Sequence, residues 1–514
     1  MKKPYFYLKI VILLLLLIWF AVLITHKINL STVDLGRHLK NGELALQGDF
    51  SVLKKNFYSY TYPNYPVVNH HWGSGVLFFL IQKAFGFSGL HVFFIALNLL
   101  TFLILFSITQ RRAGILFALP VSLLVIPLLS ERYEIRPEVL SYFFAALFFY
   151  LLWRYRENRL KEKWLFALPV LIIFWVNTHI YFFFGPVFIA AFLLEQVIRT
   201  KKIKALGLIL FLSILACFVN PYGAQGIIYP FAIWGNYGYR LIENQSIVFL
   251  EKLNIINNPN FLTFKIVFSL LVLSFILMLF KNWRRFSLIN LFLATGFSVM
   301  AWLALRNLTI FGFFALPIIA INFKTAFPNK TRFNYSLKSL SLTALITFIF
   351  LTALFTNSQY YSAYKNGFGL GLVDGTSAAA HFFQEEKIAG PIFNNYDIGG
   401  YLIYHLYPHE KVFVDNRPEA YPASFFKETY IPLQEDQFFW QEERGDYNFN
   451  ALFFYYHDAT PWAQNFLVSR INDPEWVPVF VDQNNIIFLK NNEQNQNVIQ
   501  EYEIPRENFS VRKN

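Results

Sequence analysis

The chain has 514 residues, 55% of them hydrophobic and only 15% charged, with a formal net charge of +12. That balance excludes an ordinary water-soluble enzyme and requires lipid as a solvent for much of the chain. The charge is also divided: residues 357–514 hold 11 Lys+Arg against 21 Asp+Glu, leaving 33 against 11 before them, a surplus of −10 in the tail and +22 ahead of it.

The basic residues sit in short clusters between apolar runs, as in the cytoplasmic loops of a polytopic membrane protein, and nucleic acid is set aside as a partner on that ground. Leu8–Ile24, after Met1-Lys2-Lys3, predicts a retained first membrane helix. Its apolar core is long for a cleavable signal, and His26-Lys27-Ile28 offers no small-residue cleavage site. Further spans are predicted near 90–109, 115–129, 139–153, 165–177, 180–198, 205–219, 261–280, 286–303, 307–322 and 339–356, about eleven in all. The single cysteine, Cys217, falls in one of these runs, which permits no intrachain disulfide and no Cys-based metal cage.

The clusters Gln110–Arg112, Arg154–Lys163, Arg199–Lys204, Lys281–Arg285 and Lys324–Lys338 can all be placed inside together with the N-terminus. The 27–89 loop, the Ser130–Glu138 turn, the 220–260 loop and everything after Thr356 then lie outside. The expected domains are a membrane domain, 1–356, carrying the outer loop 27–89, and a soluble extracytoplasmic α/β domain, 357–514. Within the loop, Trp72–Phe85 is apolar but too short to cross and return, which predicts an amphipathic helix at the outer interface. In the tail, Pro391–Asn394, Lys411–Val414, Ala451–Tyr456, Trp476–Val481 and Ile486–Leu489 predict strands. Ser377–Glu386, Ile398–Leu406 and Pro461–Ile471 predict helices, and Asp482–Asn485 a hairpin turn.

Candidate chemistry gathers on the predicted outer side. A carboxylate held where membrane and water meet can take a proton from an incoming hydroxyl or amine, or orient it, and Asp34 fits that role best. Capping of the helix that opens at Leu35 is the competing reading. His38, four residues on, projects from the same helix face. Adjacent His70 and His71 cannot easily address one ion, so an imidazole that bonds locally, or that faces a phosphate or sugar, is expected instead. A divalent ion between Asp34 and a histidine lacks a third ligand at a recognised spacing; no metal and no cofactor are expected. Arg136 and Arg306 present planar forks suited to a lipid phosphate, against the alternative of pairing with Glu131, Glu134 or Glu243. His179 and Arg240 belong to the same outer set, which at membrane depth is expected to face a cavity or a partner. Gly399-Gly400 and Asp415-Asn416-Arg417-Pro418 follow predicted strands, where their expected use is packing the soluble domain against the membrane part. Asn220-Pro221-Tyr222-Gly223 reads as a turn ending a helix.

Taken together, several motifs resemble a group of bacterial polytopic proteins related to the GT-C glycosyltransferase superfamily, which includes protein O-mannosyltransferases and lipid A aminoarabinose transferases. They are Asp34-Leu35-Gly36-Arg37-His38-Leu39 with Gly42-Glu43, Phe57-Tyr58-Ser59-Tyr60-Thr61, His71-Trp72, Arg136-Pro137, Asn177-Thr178-His179, Asn220-Pro221-Tyr222-Gly223 and Arg306-Asn307. Gly399-Gly400-Tyr401-Leu402 and Val412-Phe413-Val414-Asp415-Asn416-Arg417 complete the set. The resemblance implies a GT-C-like α-helical fold in the bacterial cytoplasmic membrane. It also implies inverting transfer of a sugar from a polyprenyl-phosphate donor, without a nucleotide sugar, to a glycan, lipid or protein acceptor at the outer leaflet. Asp34 would be the base or orienting acid with His38 beside it, and His70, His71, Arg136, His179, Arg240 and Arg306 the substrate-binding candidates. A non-catalytic membrane scaffold, or a lipid- or glycan-binding protein presenting the tail to a partner, is the competing reading. A transporter would need ionisable groups in the middle of its spans, and those segments are nearly free of them.

Overall fold

The computed structural model describes residues 3–198, 203–232, 235, 237–254, 258–328 and 367–510. The expected span over 339–356 and most of the Arg199–Lys204 and Lys324–Lys338 clusters lie outside these residues. Six described helices are long and apolar enough to cross a membrane: Tyr7–Ile24, Trp72–Ala113, Ile115–Arg132, Ile180–Ile198, Asn260–Arg285 and Leu305–Ala326. Lys204–Cys217 and Leu288–Leu303 are apolar but shorter. Asn260–Asn282 shows why lipid is needed: it is apolar on every face, yet Leu262 and Phe280 remain 65% and 84% exposed. A helix apolar all round has no face to give to water. The chain is a multi-pass membrane protein.

The chain divides into two compact units. The first comprises Met1–Lys27, His91–Asn220 and Arg240–Leu370; the second comprises Ile28–Leu90, Pro221–Tyr239 and Gly371–Asn514. In the first, helices Ile115–Leu129, Asn260–Asn282 and Leu308–Ala326 pack together. Gly312 permits the approach, since a Cβ there would stand 2.9 Å from Leu129 Cδ2. Phe149, Phe188, Phe297 and Phe314 interlock their rings in the same core. Trp72–Ala113 is interrupted at Gly86, whose φ of 68° and ψ of −175° suit only glycine, so the predicted helix to Phe85 does end there.

The second unit carries a four-stranded sheet, β1 (Ile392–Asn394), β2 (Ala451–Tyr455), β3 (Trp476–Val481) and β4 (Asn485–Lys490), in the order β1-β2-β4-β3. β1 and β2 run parallel and the other pairs antiparallel, with the β3–β4 hairpin turning at Asp482 as expected. Strand periodicity sends successive side chains to opposite faces. Accordingly, Phe453 meets Phe383 and Tyr401 on one side, while Phe454 meets Phe466 of helix Ala463–Ile471 on the other. Lys411–Val414 is not a strand of this sheet. The Asn394 side chain donates to Val414 O (2.8 Å) and accepts from Phe413 N (2.9 Å), so an amide occupies the edge where a ladder would have formed. Val412 instead bridges to Ser59 of the loop.

Candidate active site

Helix Leu35–Leu46 of the second unit is wedged between two other helices by its glycines. A Cβ on Gly36 would lie 2.7 Å from Gly400 O, and one on Gly42 only 2.1 Å from Gly75 O. Gly399-Gly400 thus packs this helix within its own unit. Because the Gly42 clash is with backbone, Gly42→Ala is expected to force the helices apart and cost about 1–3 kcal/mol, the usual range for overpacking, read as a lowered thermal midpoint.

Asp34 stands at the start of this helix with φ −78° and ψ 3°, and its side chain makes no capping hydrogen bond, so the capping alternative fails. Its Oδ2 turns instead to His38 Nε2 (3.3 Å) and Arg37 Nη2 (3.4 Å). The Asp34 side chain is 20% exposed and that of His38 1%. Arg37 Nε donates to Asn416 Oδ1 (3.0 Å), tying the carboxylate's neighbour to the loop after helix Gly399–Leu406. The His38 and His71 rings meet edge to face with centroids 5.4 Å apart. The His70 ring is tilted 54° against that of His71 with centroids 3.8 Å apart, places Nδ1 3.2 Å from Val68 O and lies 5.0 Å from the Tyr229 ring. His70 is therefore the imidazole that bonds locally. Burial pushes the Glu419 carboxyl above its usual range, against the pull of Arg37 and Arg417. The arrangement is a partly exposed aspartate, its Oδ1 buried and its Oδ2 bracketed by a guanidinium and an imidazole, which can hold or deprotonate a hydroxyl or amine. Among the described residues, no three His, Cys, Asp or Glu side chains gather closely enough to hold a metal ion.

In the first unit, Glu243 collects three arginines. Its Oε2 accepts from Arg132 Nη1 (2.7 Å) and pairs with Arg136 Nη1 (3.1 Å), while Oε1 lies 3.6 Å from Arg306 Nη1. Arg132 also forks onto Glu138 (2.9 and 2.7 Å), and Arg136 onto Glu134 (2.8 and 2.7 Å). The pairing alternative thus holds for Arg136 and Arg306. Glu131 takes no part in it: its oxygens accept from Asn258 and Asn260 (2.8 and 2.6 Å).

Burial pushes the Glu243 carboxyl up, but Arg132, Arg136 and Arg306 hold it down, to about 2. A carboxyl depressed in the folded state stabilises above its unfolded pKa, about 4.3, and that contribution fades as pH falls toward 2. We expect the thermal midpoint of the chain to drop between pH 4.5 and 2, and Glu243→Gln to remove that part of the drop. Glu243→Ala should cost about 3 kcal/mol, the low end for breaking a buried pair, because 22% of the side chain is exposed.

His179 and Arg240 make other contacts, the His179 ring packing on Tyr181 beside Arg306. His179 is buried, with Nδ1 2.8 Å from Ser141 Oγ and accepting from Tyr181 N (3.3 Å), so it shapes the turn before helix Phe184–Ile198. Arg240 is exposed, lies over the Phe249 ring and makes no ion pair among the described residues. Arg37, Asn416 and Arg132 are participants that sequence reasoning did not single out. Arg37 was visible as the residue one helical turn from Asp34.

No family model matches the chain, and no curated protein does. Solved structures do. The archaeal oligosaccharyltransferase AglB from Archaeoglobus fulgidus, in complex with an inhibitory peptide and a dolichol-phosphate, aligns over 93% of this chain and 74% of its own, with TM-score 0.57 and 12% identity. The Archaeoglobus fulgidus oligosaccharyltransferase tethered to an acceptor peptide containing the NVT sequon aligns over 96% and 75%, with TM-score 0.54 and 11% identity. The fold is GT-C-like. Identities this low establish the GT-C-like fold alone, in agreement with the resemblance carried by the sequence motifs. In this GT-C-like chain the Asp34 motif opens the second unit, directly after the first long apolar helix.

Proposed function

We propose that this protein is a membrane glycosyltransferase that moves a sugar from a polyprenyl-phosphate donor to an acceptor at the outer leaflet, with Asp34 as the base or orienting acid. One observation carries the reading: the Asp34 side chain makes no capping hydrogen bond and is held, 20% exposed, with its Oδ2 between Arg37 and His38. The GT-C-like fold, and the dolichol-phosphate bound to AglB, support a lipid-linked donor. His71, beside His38, is the nearest candidate for contact with sugar or phosphate. Arg136 and Arg306 are candidates for the donor phosphate, which would have to take the place of Glu243 on them.

The same reading places the protein in the bacterial cytoplasmic membrane with about eleven spans, the N-terminus inside, a membrane domain over 1–356 and an extracytoplasmic domain over 357–514. Four of the basic clusters assigned inside supply side chains to a single cavity of the first unit, which supports that orientation.

A second reading, a non-catalytic membrane scaffold, is favoured by the charge balance of the Glu243 network. Its three arginines face three carboxylates, Glu134, Glu138 and Glu243, and need no further anion. The experiment that separates the two is incubation of the purified full chain with a panel of polyprenyl-phosphate sugars and acceptor extracts from the cell envelope, reading release of polyprenyl phosphate. Release with one donor supports the transferase; no release with any of them selects the scaffold.

A further inference from the structure

The helices Glu138–Arg156 and Leu308–Ala326 each have 19 residues, about 27 Å from end to end, the thickness of a bilayer's hydrocarbon core. At their starts lie Glu138 and Arg306 of the Glu243 network. At their ends lies a cavity of about 430 Å³ to which no ligand has yet been assigned. Among the described residues, Arg112, Arg156, Arg285 and Lys324 line it against two carboxylates, Glu157 and Glu195. Each carboxylate already has a guanidinium: Glu157 pairs with Arg112, and Glu195 Oε1 with Arg156 Nη2 at 2.8 Å. Four cations less two carboxylates leave a formal +2, and Arg285 makes no ion pair among the described residues.

Cations at helix C-termini offset the helix dipoles, and these residues follow or end helices, so part of their charge has that use. A dipole needs no cavity, however. Arg112 and Arg156 flank the Trp153 ring at 6.0 and 5.1 Å, which fixes a wall of the pocket, and Gln196 and Thr325 add neutral hydrogen-bonding groups. Trp283, two residues before Arg285, is 67% exposed, the placement of an aromatic anchor at headgroup level. Basic pockets between membrane helices are where phosphate-bearing headgroups bind.

We infer that this cavity is a phosphate-anion site, occupied by the headgroup of an anionic phospholipid in the leaflet on that face. The inference is independent of the transferase reading and concerns the opposite ends of these two helices. The full chain in detergent is titrated with phosphatidylglycerol and, separately, phosphatidylcholine, with binding read by native mass spectrometry and by the thermal midpoint. Phosphatidylglycerol is expected to bind and stabilise in preference to phosphatidylcholine. Arg285→Gln with Lys324→Gln, which lowers the formal charge of the lining from +2 to zero, should weaken binding about 30-fold. Arg285→Lys with Lys324→Arg, which keeps that charge, should bind like the parent and shows that the loss is of charge and not of folding. Inorganic phosphate is the competing arm: if millimolar phosphate displaces the lipid, the site takes the free anion as well, and if it does not, the headgroup is the ligand. Equal binding of the two lipids by the parent chain, or unchanged affinity after neutralisation, would overturn the assignment.

Discussion

An Asp34→Asn chain is expected to fold, insert and melt like the parent, yet release polyprenyl phosphate from its donor 10²- to 10⁴-fold more slowly, about the contribution of one general base. The asparagine keeps the shape of the aspartate and an acceptor oxygen for Arg37 and His38, and the position is neither a cap nor deeply buried. Stability should therefore move little, while the ability to accept a proton is lost. The pair of readouts matters, because a purely structural Asp34 would lower the thermal midpoint and the rate together. Asp34→Glu restores the carboxylate about one bond further out; partial recovery of rate would show that position as well as charge is required. A donor panel in which Asp34→Asn turns over as fast as the parent would remove Asp34 from the chemistry and leave the fold without a base at this site.

The elements of the fold were legible wherever a single periodicity dominated. The apolar runs gave the long helices because nothing but lipid accommodates them, and β2, β3 and β4 followed from short apolar runs bounded by turn residues. Lys411–Val414 has the same local pattern and failed, because the deciding group is the Asn394 side chain about twenty residues away, whose amide replaces the backbone partner. The same asymmetry governs the site. Asp34, His38 and His71 could be found because residue type and spacing limit what they can do. Asn416 could not, since only the packing of Gly36 on Gly400 brings residues 37 and 416 together. Arg136 and Arg306 were found as cations, but their sharing of Glu243 depends on three segments far apart in sequence meeting at one carboxylate.

Replacement of Arg417 by leucine is expected to unfold most of the second unit, at a cost of about 3–5 kcal/mol against the 5–15 kcal/mol that holds a typical domain. Arg417 and Asp415 have 5% and 0% of their side chains exposed. The guanidinium grips Asp415 through Nε (2.8 Å) and Nη2 (2.6 Å), and Nη2 also reaches Asn56 Oδ1 (2.6 Å). Leucine would leave the carboxylate buried without its counter-charge, with the Arg417 backbone N–H and the Tyr421 hydroxyl as its remaining local donors. Lysine cannot reproduce the fork or reach Asn56 at the same time, so Arg417→Lys should fall between parent and leucine. Limited proteolysis of the full chain reads the outcome: Arg417→Leu should expose sites within 371–510 while the long apolar helices stay protected. Asn416 lies between the two locked residues and holds Arg37, so the loss should reach Asp34 as well. If instead Arg417→Leu resisted protease like the parent but lost turnover, the guanidinium would be contributing to the reaction rather than to the fold.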